Sequence, residues 1–123
     1  MPVPDLRIDL NETERAIQKT AHQFAAEVLR PAGEALDKLS AEEAIAEGSI
    51  LYDVHAKYRE LGLSDVAPDL PPLETARMSA IVSEELSWGD VGLAISCGVS
   101  GMAPNLAMLS GNPDLIEKFP RDR

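Results

Sequence analysis

Residues 91–110 form the most apolar stretch of the chain and restrict what it can fold into. They follow an amphipathic pattern over residues 78–86, and a short turn at Trp88-Gly89-Asp90 separates the two. Apolar residues occur on almost every side of the second pattern. We therefore expect one helix from Val91 to Ser110 at the centre of a helical domain.

Two glycines inside this predicted helix, Gly98 and Gly101, need a physical reason. A glycine in a helix interior costs about 1 kcal/mol relative to alanine. The close approach of another helix would offset this cost, and so would room left for a ligand. The residues themselves leave both explanations open.

The rest of the chain also follows helical patterns with recognisable ends. Asn11 with Glu14, and Ser40 with Glu43, have the spacing of capping boxes. The first helix should end before Pro31, because proline disfavours helical geometry in the preceding residue. Further predicted boundaries are Gly48, Ser49, Gly62, a proline-rich loop over 64–72 and a short last helix over 113–119. Without strand-like alternation, the sequence predicts one all-α domain over 1–123, a bundle of five or six helices.

The charge balance restricts the partners of the chain. The 123 residues include 21 acidic and 11 basic side chains, a formal net charge of −10. Nucleic acids and anionic membranes require a basic patch, so neither is an expected partner. No apolar run of about 18 residues lacks polar interruption, and no membrane span is expected. The single cysteine, Cys97, excludes an internal disulfide and fits a reducing compartment, which we expect to be the cytoplasm.

Sequence motifs for catalysis or metal binding are missing. Lys19 and Tyr52 stand three residues before His22 and His55, where a di-iron bundle would need glutamate. No zinc-protease motif and no phosphate-binding glycine loop occurs. Cys97 has no neighbouring base and is expected to be a small buried hydrophobe. No catalytic, cofactor-binding or metal-ligating residue is predicted.

Four segments of the chain nevertheless form a recognisable set by their order and spacing. They are LNETERAIQKTAHQFAAEVLRP at 10–31, KYRELGL at 57–63, EEL with GDVGLA over 84–94, and SGN with IEKF over 110–119. Together they resemble the N-terminal helical domain of the acyl-CoA dehydrogenases, and they cover nearly the whole chain.

The resemblance implies the first of three domains of an FAD-dependent enzyme that dehydrogenates the α,β bond of acyl-CoA thioesters. In that family a glutamate of the third domain removes the α-proton and the flavin takes hydride from the β-carbon. An electron-transfer flavoprotein then reoxidises FAD, which the second and third domains hold in an oligomer. The chain would stop before the β-domain, so we expect a fragment that is inactive alone and belongs to a homo- or hetero-oligomer.

The resemblance also implies a binding site. The long helix of the family's N-terminal domain lines the pocket for the acyl tail, and the match places Ala94, Ile95, Gly98 and Met102 there. Helical spacing puts these four residues on one face. Gly98 would leave volume for a long or bulky acyl group, unless it serves close helix packing. For the whole chain, the alternative is a non-catalytic acidic helical interaction module or a remnant.

Overall fold

The computed structural model describes residues 9–63 and 69–120. The chain forms α1 (Glu12–Phe24), a π-helical segment (Ala25–Leu29), α2 (Arg30–Leu36), α3 (Ala41–Ala44), α4 (Ile50–Glu60), α5 (Pro72–Gly89), α6 (Val91–Val99), α7 (Met102–Ser110) and α8 (Pro113–Lys118). The described residues contain no strand, which confirms the all-α prediction. Six helices exceed one turn if α1, the π segment and α2 count as one, in agreement with the predicted five or six.

Local side-chain chemistry sets the helix ends where the sequence predicted them. Asn11 Oδ1 accepts a hydrogen bond from the Glu14 N–H at 2.8 Å, and the Glu14 carboxylate accepts one from the Asn11 N–H at 3.3 Å. Ser40 and Glu43 form the same reciprocal pair at 3.2 and 2.9 Å. Gly62 follows α4 with φ of +67°, a conformation that side-chain-bearing residues rarely adopt. Residues 64–68 of the predicted loop lie outside the described residues.

The predicted end of the first helix before Pro31 is wrong. The helix widens into the π segment and continues to Leu36. In an α-helix, the proline ring would collide with the carbonyl group four residues earlier. In the π segment the Arg30 N–H reaches the carbonyl oxygen of Ala25, five residues back. This wider turn lets the helix pass Pro31, whose missing N–H falls in the first turn of α2.

The core lies where α5 contacts α1, the π segment and α6. Its buried members are mostly small or aliphatic: Ala21, Phe24, Ala25, Leu29, Ala32, Val54, Tyr58, Leu63, Val82, Leu86, Leu93 and Cys97. Gly89 packs directly on the backbone of Ala25, because a Cβ atom on Gly89 would lie 2.9 Å from the carbonyl oxygen of Ala25. Glycine therefore allows the end of α5 to touch the π segment.

Residues 91–110 do not form the single helix that the sequence predicts. The segment divides into α6 and α7 at Ser100 and Gly101. The Ser100 N–H bonds to the Cys97 carbonyl at 3.3 Å, and the Ser100 hydroxyl donates to the same oxygen at 2.6 Å. Pro104 has no N–H to offer to the Ser100 carbonyl, but it is tolerated in the first turn of a new helix.

The expected central position of this segment is also wrong. Leu93, Cys97 and Ala107 are buried, but most of its large apolar side chains are exposed. These exposed side chains are Val91, Ile95, Val99, Met102, Leu106, Met108 and Leu109, with Leu109 reaching 83% exposure. An all-round apolar pattern indicates that a helix avoids water, but within the described residues nothing packs on this outer side.

Candidate functional site

A groove of about 380 Å³ lies between α5 and α6. The α6 wall consists of Ala94, Ile95, Gly98 and Val99. Val82, Leu86 and three serines line it from α5, and Tyr58 and Leu63 complete it. None of these side chains is an acid or a strong base, although 26% of the residues of the chain are charged. The groove is therefore suited to a neutral, mostly apolar ligand.

Three of the four site residues predicted from the resemblance lie together in this groove. Ala94, Ile95 and Gly98 follow helical spacing along α6 and line it. Met102 does not line it, because the break at Ser100 and Gly101 makes it the first residue of α7, where its side chain is 54% exposed. That these residues meet an acyl group stays a prediction.

Gly98 leaves open space in the groove. A Cβ atom built on Gly98 would meet no atom within 4 Å among the described residues. Close packing of another helix of this part of the chain therefore gives no reason for a glycine here. This differs from Gly89, where the same construction collides with Ala25. Of the two explanations that the sequence left open, the packing of the described residues favours room for a ligand.

Asp90 fixes the α6 wall against the rest of the bundle. Its Oδ1 atom accepts a hydrogen bond from the Leu93 N–H at 2.8 Å and so caps α6. The same carboxylate lies against Gly33 of α2, where a Cβ atom would fall 2.9 Å from the Asp90 Cγ. Gly33 thus makes room for the cap. Sequence reasoning missed this role, because the contact joins residues far apart in the chain.

The titratable groups beside the groove are held neutral. Burial and the adjoining Cys97 raise the pKa of Tyr58, whose hydroxyl donates to the Leu63 carbonyl at 3.2 Å. Burial raises the pKa of the Cys97 thiol to about 11. Burial, and then the positive charge of Arg59, lower the pKa of His55, whose Nε2 atom lies 2.9 Å from Ser96 Oγ. Burial thus disfavours a Cys97 thiolate and a Tyr58 phenolate beside the groove.

A second cluster ties the first helix to the end of α5. His22 Nδ1 lies 2.7 Å from Glu85 Oε2, and the His22 ring stacks on Trp88 with 4.5 Å between ring centroids. The Arg30 guanidinium lies 4.2 Å from the centre of the same indole ring. Glu85 therefore pairs with the first helix from the last turns of α5. Each of these side chains has a partner within the cluster, so the cluster serves to hold the first helix against α5.

The described lining of the groove does not fit a flavin, and no described cluster of side chains fits a metal ion. The doubly charged pyrophosphate of FAD would need cations or free backbone N–H groups, but no Lys or Arg lines the groove. The start of α6 is already occupied by the Asp90 carboxylate. Over residues 9–63 and 69–120, no group of three or more His, Cys, Asp or Glu side chains could hold a metal ion.

The segment Val91–Ser110 is long and apolar enough to be compared with a membrane-spanning helix. Its 20 residues have a mean hydropathy of 1.4, and 17% of that window is buried. By length and composition alone such a segment could cross a bilayer. The expectation that this chain has no membrane span therefore stays a prediction.

The described residues form an all-α domain with a groove between two helices that suits a neutral, mostly apolar ligand. A family model described as "Acyl-CoA dehydrogenase, N-terminal domain" matches residues 11–121. This chain belongs to that family, which confirms the resemblance seen in its sequence. Among curated proteins, it is 29% identical over 123 residues to "Probable medium-chain specific acyl-CoA dehydrogenase 2, mitochondrial" of Caenorhabditis briggsae.

That alignment covers 93% of this chain and 27% of the relative. The chain thus spans about a quarter of the length of the curated protein that it matches. No solved structure matches it with statistical significance.

Proposed function

We propose that this chain forms one wall of the acyl-chain pocket in an FAD-dependent acyl-CoA dehydrogenase, which would dehydrogenate acyl-CoA thioesters in fatty acid β-oxidation. The observation that carries the proposal is the uncharged groove between α5 and α6, with space at Gly98. An acyl tail is neutral and apolar, and each buried methylene contributes about 0.8 kcal/mol. An acyl tail bound in the groove would bury its apolar surface without removing a charged side chain of the described lining from water.

The exposed apolar side chains of α6 and α7 support a place inside a larger assembly. Contiguous apolar surface of this kind usually marks an interaction site. In the proposed enzyme, further protein covers it, from the same polypeptide or from another subunit of a homo- or hetero-oligomer. FAD would be held by that further protein, since the described lining of the groove does not fit it, and an electron-transfer flavoprotein would accept the electrons.

The proposal places chemistry and binding on different parts of the enzyme. In the described part of the groove no Asp or Glu side chain lines the wall, and the His55 Nε2 atom is engaged by Ser96 Oγ at 2.9 Å, so the isolated chain should show no dehydrogenase activity. Its own contribution is to exclude water from the acyl tail and to limit the length and bulk of that tail. We propose a cytoplasmic location, where the buried Cys97 thiol stays reduced.

Replacing Gly98 by phenylalanine tests the pocket directly. The protein would be purified from its source through a tag on this chain, with whatever polypeptide accompanies it, and assayed against a series of saturated acyl-CoA thioesters with a dye as electron acceptor. Because the new ring would fill the groove, kcat/KM for the longest substrates should fall by at least about tenfold relative to the shortest.

Gly101→Phe is the matched control for Gly98→Phe. It adds the same ring at the break between α6 and α7, outside the groove, so the chain-length profile should stay that of the wild type. An unchanged profile in Gly98→Phe would refute the acyl-pocket assignment. A wild-type protein that neither binds flavin nor oxidises any acyl-CoA would refute the enzyme assignment.

A further inference from the structure

We infer that the groove selects an acyl group that carries neutral oxygen substituents, hydroxyl or keto, along its chain, in preference to a plain hydrocarbon chain. This inference rests on the proposed function and narrows the substrate class of the same site. It comes from the two walls of the groove, which differ in their chemistry.

The α5 wall carries three serines at intervals of four residues. Ser79, Ser83 and Ser87 all line the groove, and this spacing places them on one face of α5. With a rise of 1.5 Å per residue, neighbouring hydroxyls stand about 6 Å apart, and the first and last about 12 Å apart. The wall therefore offers hydrogen-bonding groups along the length of a bound chain, not at one point.

These three hydroxyls have no hydrogen-bond partner among the described residues. Other serines of the chain do have one. The hydroxyls of Ser100 and Ser110 donate to backbone carbonyl groups three residues earlier, at 2.6 and 2.7 Å. The groove serines are thus available to a ligand as donors and as acceptors.

The facing wall offers no hydrogen bond from a side chain. Ala94, Ile95, Gly98 and Val99 are aliphatic or lack a side chain, and Gly98 leaves space beside them. A ligand held between the walls would place its hydrocarbon edge on α6 and its oxygens toward α5. A charged substituent is disfavoured, because no charged side chain occurs among the described residues of the lining.

A plain hydrocarbon chain in the same position would cover the serine hydroxyls without bonding to them. Ser79, Ser83 and Ser87 are exposed in this structure, so a ligand that covers them without bonding to them takes their hydroxyls out of water, which costs free energy. An oxygen substituent at the right depth removes this penalty. The discrimination expected for one substituent is on the order of tenfold in kcat/KM.

The test compares two thioesters on the protein purified from its source through a tag on this chain. One is dodecanoyl-CoA, and the other is the same thioester with a single mid-chain hydroxyl. The wild type should favour the hydroxylated substrate. In the combined variant Ser79→Ala, Ser83→Ala, Ser87→Ala, the ratio of kcat/KM for hydroxylated over plain substrate should fall by about tenfold.

Two controls separate recognition from folding. Ser100→Ala removes a hydroxyl outside the groove, so it should leave the substrate ratio as in the wild type. Alanine is a better helix former than serine, so the combined variant should melt no lower than the wild type, and a changed ratio will not come from unfolding. Ser79→Ala and Ser87→Ala singly should respond to hydroxyls at different positions of the acyl chain.

Each outcome decides the inference. A ratio that the combined variant leaves unchanged, with both thioesters oxidised, would overturn the preference for oxygen substituents and leave the proposed function standing. A wild type that favours plain dodecanoyl-CoA would do the same. Failure of the wild type to oxidise any acyl-CoA would overturn the proposed function, and the inference with it.

Discussion

Replacing Gly89 by alanine tests the close contact between the end of α5 and the π segment. The new Cβ atom would lie 2.8 Å from the Cβ and 2.9 Å from both the Cα and the carbonyl oxygen of Ala25. Optimal separation between non-bonded carbon atoms is about 3.5–4.0 Å. Two of the three atoms belong to the backbone and cannot rotate away, so α5 and the π segment must move apart.

The expected change in the free energy of unfolding for Gly89→Ala is the difference between two opposing contributions. Overpacking of a well-packed core costs typically about 1–3 kcal/mol, and a backbone collision belongs at the upper end. Replacing a helical glycine by alanine returns up to about 1 kcal/mol. Gly89→Ala should therefore lower the free energy of unfolding by about 2 kcal/mol, which for a domain of this size lowers Tm by roughly 10 °C.

Thermal unfolding followed by circular dichroism measures this effect, and Gly98→Ala is its matched control. Gly98 lies within α6, and a Cβ atom there meets nothing within 4 Å in the described chain. Because no collision opposes the higher helix propensity of alanine at this position, Gly98→Ala should raise Tm by a few degrees. A Gly89→Ala variant that melts at or above the wild-type temperature would refute the close contact.

Three shorter experiments probe individual side chains. Asp90→Ala removes the cap of α6 and should lower stability to urea by about 1 kcal/mol, and an unchanged urea midpoint would contradict the capping role. Burial and Arg59 lower the pKa of His55 in the folded chain, so the unfolded chain binds more protons at mildly acidic pH. The folded chain should therefore lose stability as the pH falls from about 6.5, the usual pKa of histidine, through the lower pKa of His55 in the folded chain. His55→Gln should reduce this loss in urea midpoints measured against pH, and an equal loss in both proteins would exclude His55 as the cause. Cys97 is 1% exposed with a pKa of about 11, so a thiol reagent at mildly alkaline pH should label it only after unfolding, and immediate labelling of the native protein would contradict its burial.

Local chemistry in this chain could be predicted from the sequence alone. The capping boxes of Asn11 and Ser40 form as predicted because all their atoms lie within four residues. The end at Pro31 was wrong because the rule assumes ordinary α-helical geometry, and a π-helical turn avoids the collision that the rule describes. The family could also be predicted, from segments whose order and spacing the chain preserves.

The position of each helix in the molecule could be predicted less well. The apolar pattern over 91–110 correctly indicated a helical segment, but periodicity does not say which protein surface covers it. Ala94, Ile95 and Gly98 lie together in the groove because they belong to one unbroken helix, and their contact with an acyl group stays a prediction. Met102 lies past the break. The serines of the groove carried a signal that sequence reasoning missed, a spacing of four residues on α5.

The π-helical segment also fixes how many residues the first helix must contain. Each residue rotates an α-helix by about 100°, and the segment accommodates one extra residue, because its hydrogen bond from Arg30 to Ala25 spans five residues instead of four. Deleting one residue between Ala25 and Leu29 would let the segment close as an ordinary α-helix and rotate α2 by about 100°. Gly33 would then turn away from Asp90, and Ala32 would leave the core. Among related chains, a gap of one position here is therefore a change of helix phase, which only a compensating insertion nearby would reverse.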